Sequence, residues 1–290
     1  MVKIGIIGAG KVGVSLGKYL FDSSLVGFSL NGYYSKTTKS ADFASRFTNS
    51  ISYNNLESIV KDSNFLIIAT PDGEIKNVWR QLKSYNLENK VICHCSGSLS
   101  SKIFTDAPSK KIYKGSVHPA LAINDISSSY RDLEKAFFSL EGDREFIDIF
   151  KNILVKKGNR YKIIRPDDKI KYHLSSVFVS NLFLALGNIS LKLLEECGFD
   201  ESESFDVLAN LAELNVENFV KNGPIKALTG PVERNDFTTI ENHLMAIDDG
   251  DIKHKDITDI YRLLSLELVE IAKNKHEDRD YTNIIKLLMK

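Results

Sequence analysis

Three glycines in Gly8-Ala9-Gly10-Lys11-Val12-Gly13 stand at the spacing G-x-G-x-x-G. They fall where an apolar, β-branched run (Lys3 to Ile7) gives way to a helical pattern (Lys11 to Phe21). In that context the first glycine permits a tight turn, the second lets a pyrophosphate approach the backbone, and the third lets the helix close on the strand. The helix N-terminus then offers unpaired N–H groups and the positive end of its dipole to phosphate oxygens. Gly8, Ala9, Gly10, Lys11, Val12 and Gly13 are the expected contacts of a dinucleotide. The alternative is a glycine-rich turn that binds nothing.

The end of the second strand, Phe28 to Ser35, selects between dinucleotides. An NAD site places Asp or Glu there for the ribose hydroxyls. No carboxylate occurs between Asp22 and Asp42; Ser35, Lys36, Thr37, Thr38 and Lys39 follow the strand instead. These hydroxyl and ammonium groups suit a 2′-phosphate, and a charge-assisted hydrogen bond contributes roughly 1.5–3 kcal/mol, enough for about tenfold or greater discrimination. NADP is the expected cofactor, with NAD the other possibility, and Ser35, Lys36 and Thr37 are expected at its phosphate. Ligands of doubly wound sheets sit beyond the carboxyl ends of strands. Thr70 and Pro71, closing the strand Phe65 to Thr70, are therefore expected to line the dinucleotide, and Asp72 to cap the next helix.

Other chemistry-bearing residues cluster at strand ends and on one helix. Cys93, His94 and Cys95 invite a metal reading, but strand alternation puts the cysteines on one face and the histidine on the other. No second Cys/His pair follows at zinc-ligand spacing, so no metal site is expected. Ser96 and Gly97 could touch nicotinamide or substrate through hydroxyl and backbone N–H. His118, before Pro119, could shuttle a proton near neutrality or lock a loop by hydrogen bonds. His173, Ser176 and Ser180 share one helix face, with Asn181 about 80° round from His173 by the helix pitch. This polar stripe could face substrate or make interhelical hydrogen bonds. Arg234 could grip a carboxylate or phosphate with its two-pronged donor, or pair with Glu233 or Asp236.

The elements that must hold these residues alternate strand and helix through the first half, the pattern of a parallel sheet with covering helices. The texture changes at Arg165. Pro166, Asp167 and Asp168 form a helix start, and a helix of about thirty residues is expected to run to Cys197, stopped by Gly198. Helical spacing continues through Ser202 to Lys221, Thr239 to Ile247 and Asp256 to Lys273, with capping-box spacing at Thr238 and Glu241. The fold class is an α/β Rossmann domain over 1–164 followed by an all-α domain over 165–290.

The 290 residues are 43% hydrophobic and 26% charged, and 38 Lys plus Arg balance 38 Asp plus Glu. A neutral chain argues against a nucleic-acid or anionic-membrane partner. No signal peptide, no run of eighteen consecutive apolar residues and no disulfide framework is visible, so no membrane span and a cytoplasmic setting are expected. The apolar residues from Val177 to Leu194 nearly encircle their helix, so a homodimer through the helical domain is expected.

The motifs His94-Cys95-Ser96-Gly97, Gly115-Ser116-Val117-His118-Pro119, Tyr172-His173 through Ser180-Asn181, and Leu228-Thr229-Gly230-Pro231 through Arg234-Asn235-Asp236 occur in that order. Together they resemble a family of Rossmann-like oxidoreductases with a helical C-terminal domain of unknown function. The wider superfamily includes 6-phosphogluconate dehydrogenase, pyrroline-5-carboxylate reductase and ketopantoate reductase. The resemblance implies hydride transfer between NADP(H) and a small carbonyl, imine or hydroxyl compound bound between the domains. Two alternatives stay open: a non-catalytic NADP sensor or scaffold, and a hydroxy-acid dehydrogenase that also decarboxylates. Hydroxyacid dehydrogenases of that superfamily carry a catalytic lysine near the start of the interdomain helix, with asparagine four residues later. Here Lys169 is followed by His173 and Lys171 by Ser175, so that mechanism does not carry over. His173 is then the expected general acid or base, His118 a secondary or positioning group, and Ser96, Gly97, Ser176, Ser180, Asn181 and Arg234 the expected substrate contacts.

Overall fold

Four-residue runs without a polar side chain need cover on both faces, and here they receive it. In the computed structural model, which describes residues 1–21, 25–249 and 255–290, such runs form the centre of an eight-stranded sheet. The elements in chain order are β1 (Val2–Ile7), α1 (Lys11–Leu20), β2 (Phe28–Tyr34), α2 (Thr38–Thr48), β3 (Ile51–Tyr53), α3 (Leu56–Asp62), β4 (Phe65–Ile68) and α4 (Asp72–Leu82). There follow β5 (Val91–His94), β6 (Tyr113–Pro119), α5 (Ser129–Asp132), β7 (Phe138–Gly142), α6 (Arg144–Lys157), β8 (Tyr161–Ile163) and α7 (Lys169–Val179). The strand order is β3-β2-β1-β4-β5-β6-β7-β8, parallel except where β7 runs antiparallel to β6.

Alternation along the strands splits the core in two. Ile4, Ile6, Phe65, Ile67 and Cys93 face Phe146 and Phe150 on one side, while Ile7, Leu66, Ile68 and Ile92 face Trp79 and Phe104 on the other. Each such side chain, fully buried, contributes roughly 1.5–3 kcal/mol. The chain winds from β1 outward to β2 and β3, then returns to β4 on the other side of β1. The carboxyl ends of β1 and β4 therefore flank the switch point where doubly wound sheets bind ligands.

The chain divides into two compact units, residues 1–181 and 182–290. The sequence texture changes earlier, at Arg165, but α7 stays with the sheet because its first residue is anchored there. Lys169 is buried and its ammonium donates to the carbonyl of Ser96 at 2.8 Å. The expected thirty-residue helix is not continuous. Pro166–Asp168 is a 3-10 turn, and the helix breaks at Ser180, where φ is −121° and ψ −80°. There the Ser180 hydroxyl donates to the carbonyl of Ser176 at 2.7 Å, a local bond that competes with the helical ladder. A helix α8 (Asn181–Glu196) resumes at once. Counting uninterrupted apolar residues predicts no membrane span, yet Pro166–Glu196 is long and apolar enough by composition to cross one. Its first half is instead tied to the sheet through Lys169.

The second unit continues with α9 (Glu201–Ala227), α10 (Phe237–Asp249), α11 (Lys255–Lys275) and α12 (Thr282–Leu288). Leu228, Val232, Ile240, Leu244, Val269, Tyr281 and Ile284 form its core. A true capping box starts α9: Asp200 accepts from the Glu203 backbone N–H, and Glu203 accepts from that of Asp200. The box expected at Thr238 and Glu241 is absent. Asp236 begins α10 instead, accepting from the Thr239 backbone N–H at 3.1 Å and from its hydroxyl at 2.8 Å.

Candidate active site

A cleft of about 480 Å³ opens over the glycine turn, lined by Gly8, Ala9, Gly10, Ser35, Lys36, Thr70 and Pro71 among others. Gly8 has φ +110°, and a Cβ there would lie 2.7 Å from the carbonyl carbon of Ala69, so the turn requires glycine. A Cβ on Gly13 would meet the Gly8 carbonyl oxygen at 2.2 Å, which is why α1 closes so tightly on the strand. Gly10 is different. Nothing lies within 4 Å of where its Cβ would be, so the space above it is open to a ligand. No side chain caps α1 and no acidic residue sits in its first turn, leaving its N–H groups available to an anion. The Thr70 hydroxyl, at the same cleft, is buried without a partner among the described residues.

Lys36, Thr37, Thr38 and Lys39 are exposed beside this cleft, as a 2′-phosphate site requires, although only Ser35 and Lys36 of the expected trio line it. Thr37 is the residue before α2, its hydroxyl 2.7 Å from that of Ser40. Lys11, Val12 and Gly13, in the first turn of α1, are not among the residues that line the cleft. The structure adds a carboxylate that the sequence near β2 does not show. Glu74, on α4, reaches the cleft and accepts from the Asn77 amide at 3.3 Å.

A second polar cluster gathers where β5, β6 and α7 meet. Asp72, expected as a helix cap, does not cap. Its carboxylate accepts from the hydroxyls of Ser96 at 2.6 Å and Ser98 at 3.0 Å. The Ser96 hydroxyl also accepts from the backbone N–H groups of Ser98 and Leu99, and the residue is 5% exposed. Ser96 therefore braces the loop from within rather than offering a free hydroxyl to substrate. Glu141, buried on β7, accepts from the Ser101 backbone N–H at 2.8 Å and the Ser116 hydroxyl at 3.0 Å, fixing the far side of the same loop.

Gly97 faces two imidazoles. A Cβ on it would lie 2.7 Å from His173 Nδ1 and 2.9 Å from His118 Nε2. The two rings meet edge-on with centroids 6.1 Å apart. His173 Nδ1 is buried without a hydrogen-bond partner among the described residues. His118 Nδ1 is 3.1 Å from the Tyr172 hydroxyl. Burial holds His118 down to about 4, with the charges of Lys169 and then His173 adding to it and Asp72 opposing, so this ring is neutral at physiological pH. His94 is likewise held near 4, chiefly by burial. It sits against Phe104, and its Nδ1 accepts from the Ser96 backbone N–H at 3.2 Å. Cys93 and Cys95 pack in the core on the opposite face, as strand alternation predicts, and no metal-binding group of three or more ligands occurs among the described residues.

Lys169 lies at the centre of this cluster. Burial lowers its ammonium to about 8, opposed by Glu141, Cys95 and Asp72. The sequence marks Lys169 only by its spacing to His173; its burial depends on a loop seventy-three residues away in the chain. Ser176, on α7, is half-buried, while Ser180 at the break and Asn181 at the start of α8 are exposed and their side chains pair with each other at 3.2 Å. Arg234 is exposed in the second unit. Its neighbour Glu233 is held by His276, with Lys275 and Arg279 nearby, and Asn235 keeps the left-handed backbone this loop needs, with φ +59°.

Residues 1–119 match the model of a Rossmann-like domain. Fold and cleft together place the chain in that class. Residues 136–268 match a domain of unknown function, DUF2520, so the chain carries the match to this second domain after the Rossmann-like one. No curated protein matches it. Among solved structures, protein TM1727 from Thermotoga maritima is 24% identical, with a TM-score of 0.72 over 94% of this chain and 99% of that one. A variant imine reductase from Myxococcus stipitatus, in complex with NAD+, is 14% identical with a TM-score of 0.60, over 100% of this chain and 99% of that one. A reductive aminase from Aspergillus terreus, in complex with NADPH and ethyl-5-oxohexanoate, is 15% identical with a TM-score of 0.63 over the whole of both chains. At these identities the likeness is one of fold.

Proposed function

We propose that this chain is an NADP(H)-dependent oxidoreductase acting on a small carbonyl, imine or hydroxyl compound. The observation that carries the reading is the cleft over Gly10: open space above a helix N-terminus without a cap, a buried Thr70 hydroxyl without a partner, and Ser35 with Lys36 at its edge. These donors fit a phosphorylated dinucleotide. The nicotinamide supplies or accepts hydride when bound. The protein's part is to hold the phosphates on α1, to bind the 2′-phosphate at Ser35 and Lys36, and to manage the accompanying proton. His173 is the acid or base in this reading. Its buried Nδ1, beside Gly97, has no hydrogen-bond partner among the described residues, which leaves it open to a substrate proton in this reading. His118, neutral and wedged against the same glycine, orients substrate. The reductive aminase and imine reductase that share the fold were solved with NADPH and NAD+, which supports the same class of cofactor here.

The test of cofactor choice is Lys36→Glu. The variant is expected to lose its preference for NADPH over NADH, because a carboxylate at that point repels the 2′-phosphate and suits the ribose hydroxyls. Calorimetry showing the preference unchanged in the variant would contradict the placement of Lys36.

The active form in this reading is a homodimer joined through the helical region. Among the residues of α8 none is buried, and Phe178, Val179, Leu184, Phe205, Leu211 and Val220 are all more than half exposed. So extensive an apolar surface is covered in a stable protein, and a second copy of the chain presents the matching apolar face. Light scattering is expected to give twice the 32.6 kDa chain mass; a single-chain mass at high concentration would count against the dimer.

A further inference from the structure

Tyr172 follows Lys169 by three residues and precedes His173 by one, on the α7 face whose side chains reach the ends of β5 and β6. Its hydroxyl lies 3.1 Å from His118 Nδ1, and the two rings meet edge-on with centroids 5.7 Å apart. The other nitrogen of that imidazole, Nε2, points at Gly97, where His173 Nδ1 also converges. We propose that Tyr172 is a positioning residue that fixes His118 in the tautomer protonated on Nε2, so that His118 offers a neutral N–H donor beside Gly97 and His173.

The direction of the hydrogen bond decides the matter. His118 is neutral, held down to about 4 by burial and by the Lys169 and His173 charges. It therefore has one N–H donor and one acceptor nitrogen. Tyr172 is pushed above its ordinary value by burial, with the nearby Ser139 hydroxyl opposing, so it stays an O–H donor. A phenol O–H is a stronger acid than a neutral imidazole N–H, and an imidazole nitrogen is a stronger base than a phenol oxygen. The bond thus runs from the Tyr172 hydroxyl to Nδ1, and the ring proton lies on Nε2. The role of this donor in catalysis rests on the oxidoreductase reading: a fixed neutral N–H meets the substrate oxygen or nitrogen as it gains charge, without reorganisation at the moment of reaction. The tautomer itself does not rest on that reading.

The experiment is nitrogen-15 spectroscopy of the histidine-labelled full chain without cofactor, with His118→Gln identifying the His118 resonances. The expected spectrum has Nε2 protonated and Nδ1 unprotonated but shifted by an accepted hydrogen bond. In Tyr172→Phe the Nδ1 resonance is expected to move to the higher frequency of a lone pair without a donor. A proton on Nδ1 in the unaltered chain, or an Nδ1 resonance unmoved by Tyr172→Phe, would overturn the assignment. Should Tyr172→Phe fail to fold, the tautomer in the unaltered chain still decides. Titration of the same sample with NADPH separates the two claims: absent binding with Nε2 protonated overturns the cofactor reading and upholds the assignment of Tyr172.

Discussion

Gly10→Val is expected to abolish dinucleotide binding while leaving the protein folded. The two halves of that result have separate causes. The fold survives because a Cβ on Gly10 meets no atom within 4 Å, and because Gly10 has φ −85°, a backbone conformation that any residue adopts. Binding is lost because the same open space is where a pyrophosphate must approach the backbone at the start of α1. Gly8 and Gly13 make poorer tests, since side chains there strike the backbone at Ala69 and Gly8 and would disturb the sheet itself. Calorimetry with NADPH, beside a thermal melt of each protein, checks both halves. Unchanged affinity in Gly10→Val would show that the phosphates lie elsewhere.

His173→Gln is expected to lower kcat by roughly 100- to 10,000-fold, the contribution of a positioned acid or base, with NADPH affinity nearly unchanged. The structural ground is the buried, unpartnered Nδ1 beside Gly97. His118→Gln is expected to have the smaller effect on the proton-transfer step, because His118 is neutral well below pH 7 and its Nδ1 is already engaged by Tyr172. Full turnover in His173→Gln together with loss in His118→Gln would reverse the two roles. Gly97 links them: any side chain there would push both imidazoles aside.

The glycine turn and the central strands are legible in the sequence because their determinants are local. A glycine spacing, a β-branched run and a helical period lie within the first twenty-one residues, and the fold follows them. The helix α2 is not legible in the same way. Its buried face consists of Ala41, Ala44 and Ser45, so no large aliphatic marks the period. The strands β3 and β8 are three residues each, and Tyr53 is the one buried side chain among them, leaving no apolar run to find. The long apolar stretch after Pro166 is legible, but its break at Ser180 depends on one hydroxyl turning back to Ser176.

The polar cluster shows the same limit more sharply. His118 and His173 can be nominated from residue type, but what surrounds them comes from distant segments. Asp72 reads as a helix cap by position, yet the serines of the loop after β5 draw its carboxylate away. Ser96 reads as a substrate contact, yet Asp72, Ser98 and Leu99 engage its hydroxyl. Glu74 reaches the cleft although the sequence around β2 holds no acid. Lysine is almost never fully buried without a partner, so the burial of Lys169 under the Ser96 carbonyl has no signal in composition or periodicity. Each of these is a pairing across the sheet, settled only when the carboxyl ends of the strands come together.

Calorimetric titration of the full chain with NADPH, and in parallel with NADH, tests the central claim most directly. The cleft over Gly10, with Ser35 and Lys36 at its edge, predicts one saturable site per chain and NADPH bound at least about tenfold more tightly than NADH. Equal affinities would contradict the 2′-phosphate site, and no binding of either dinucleotide would contradict the account as a whole.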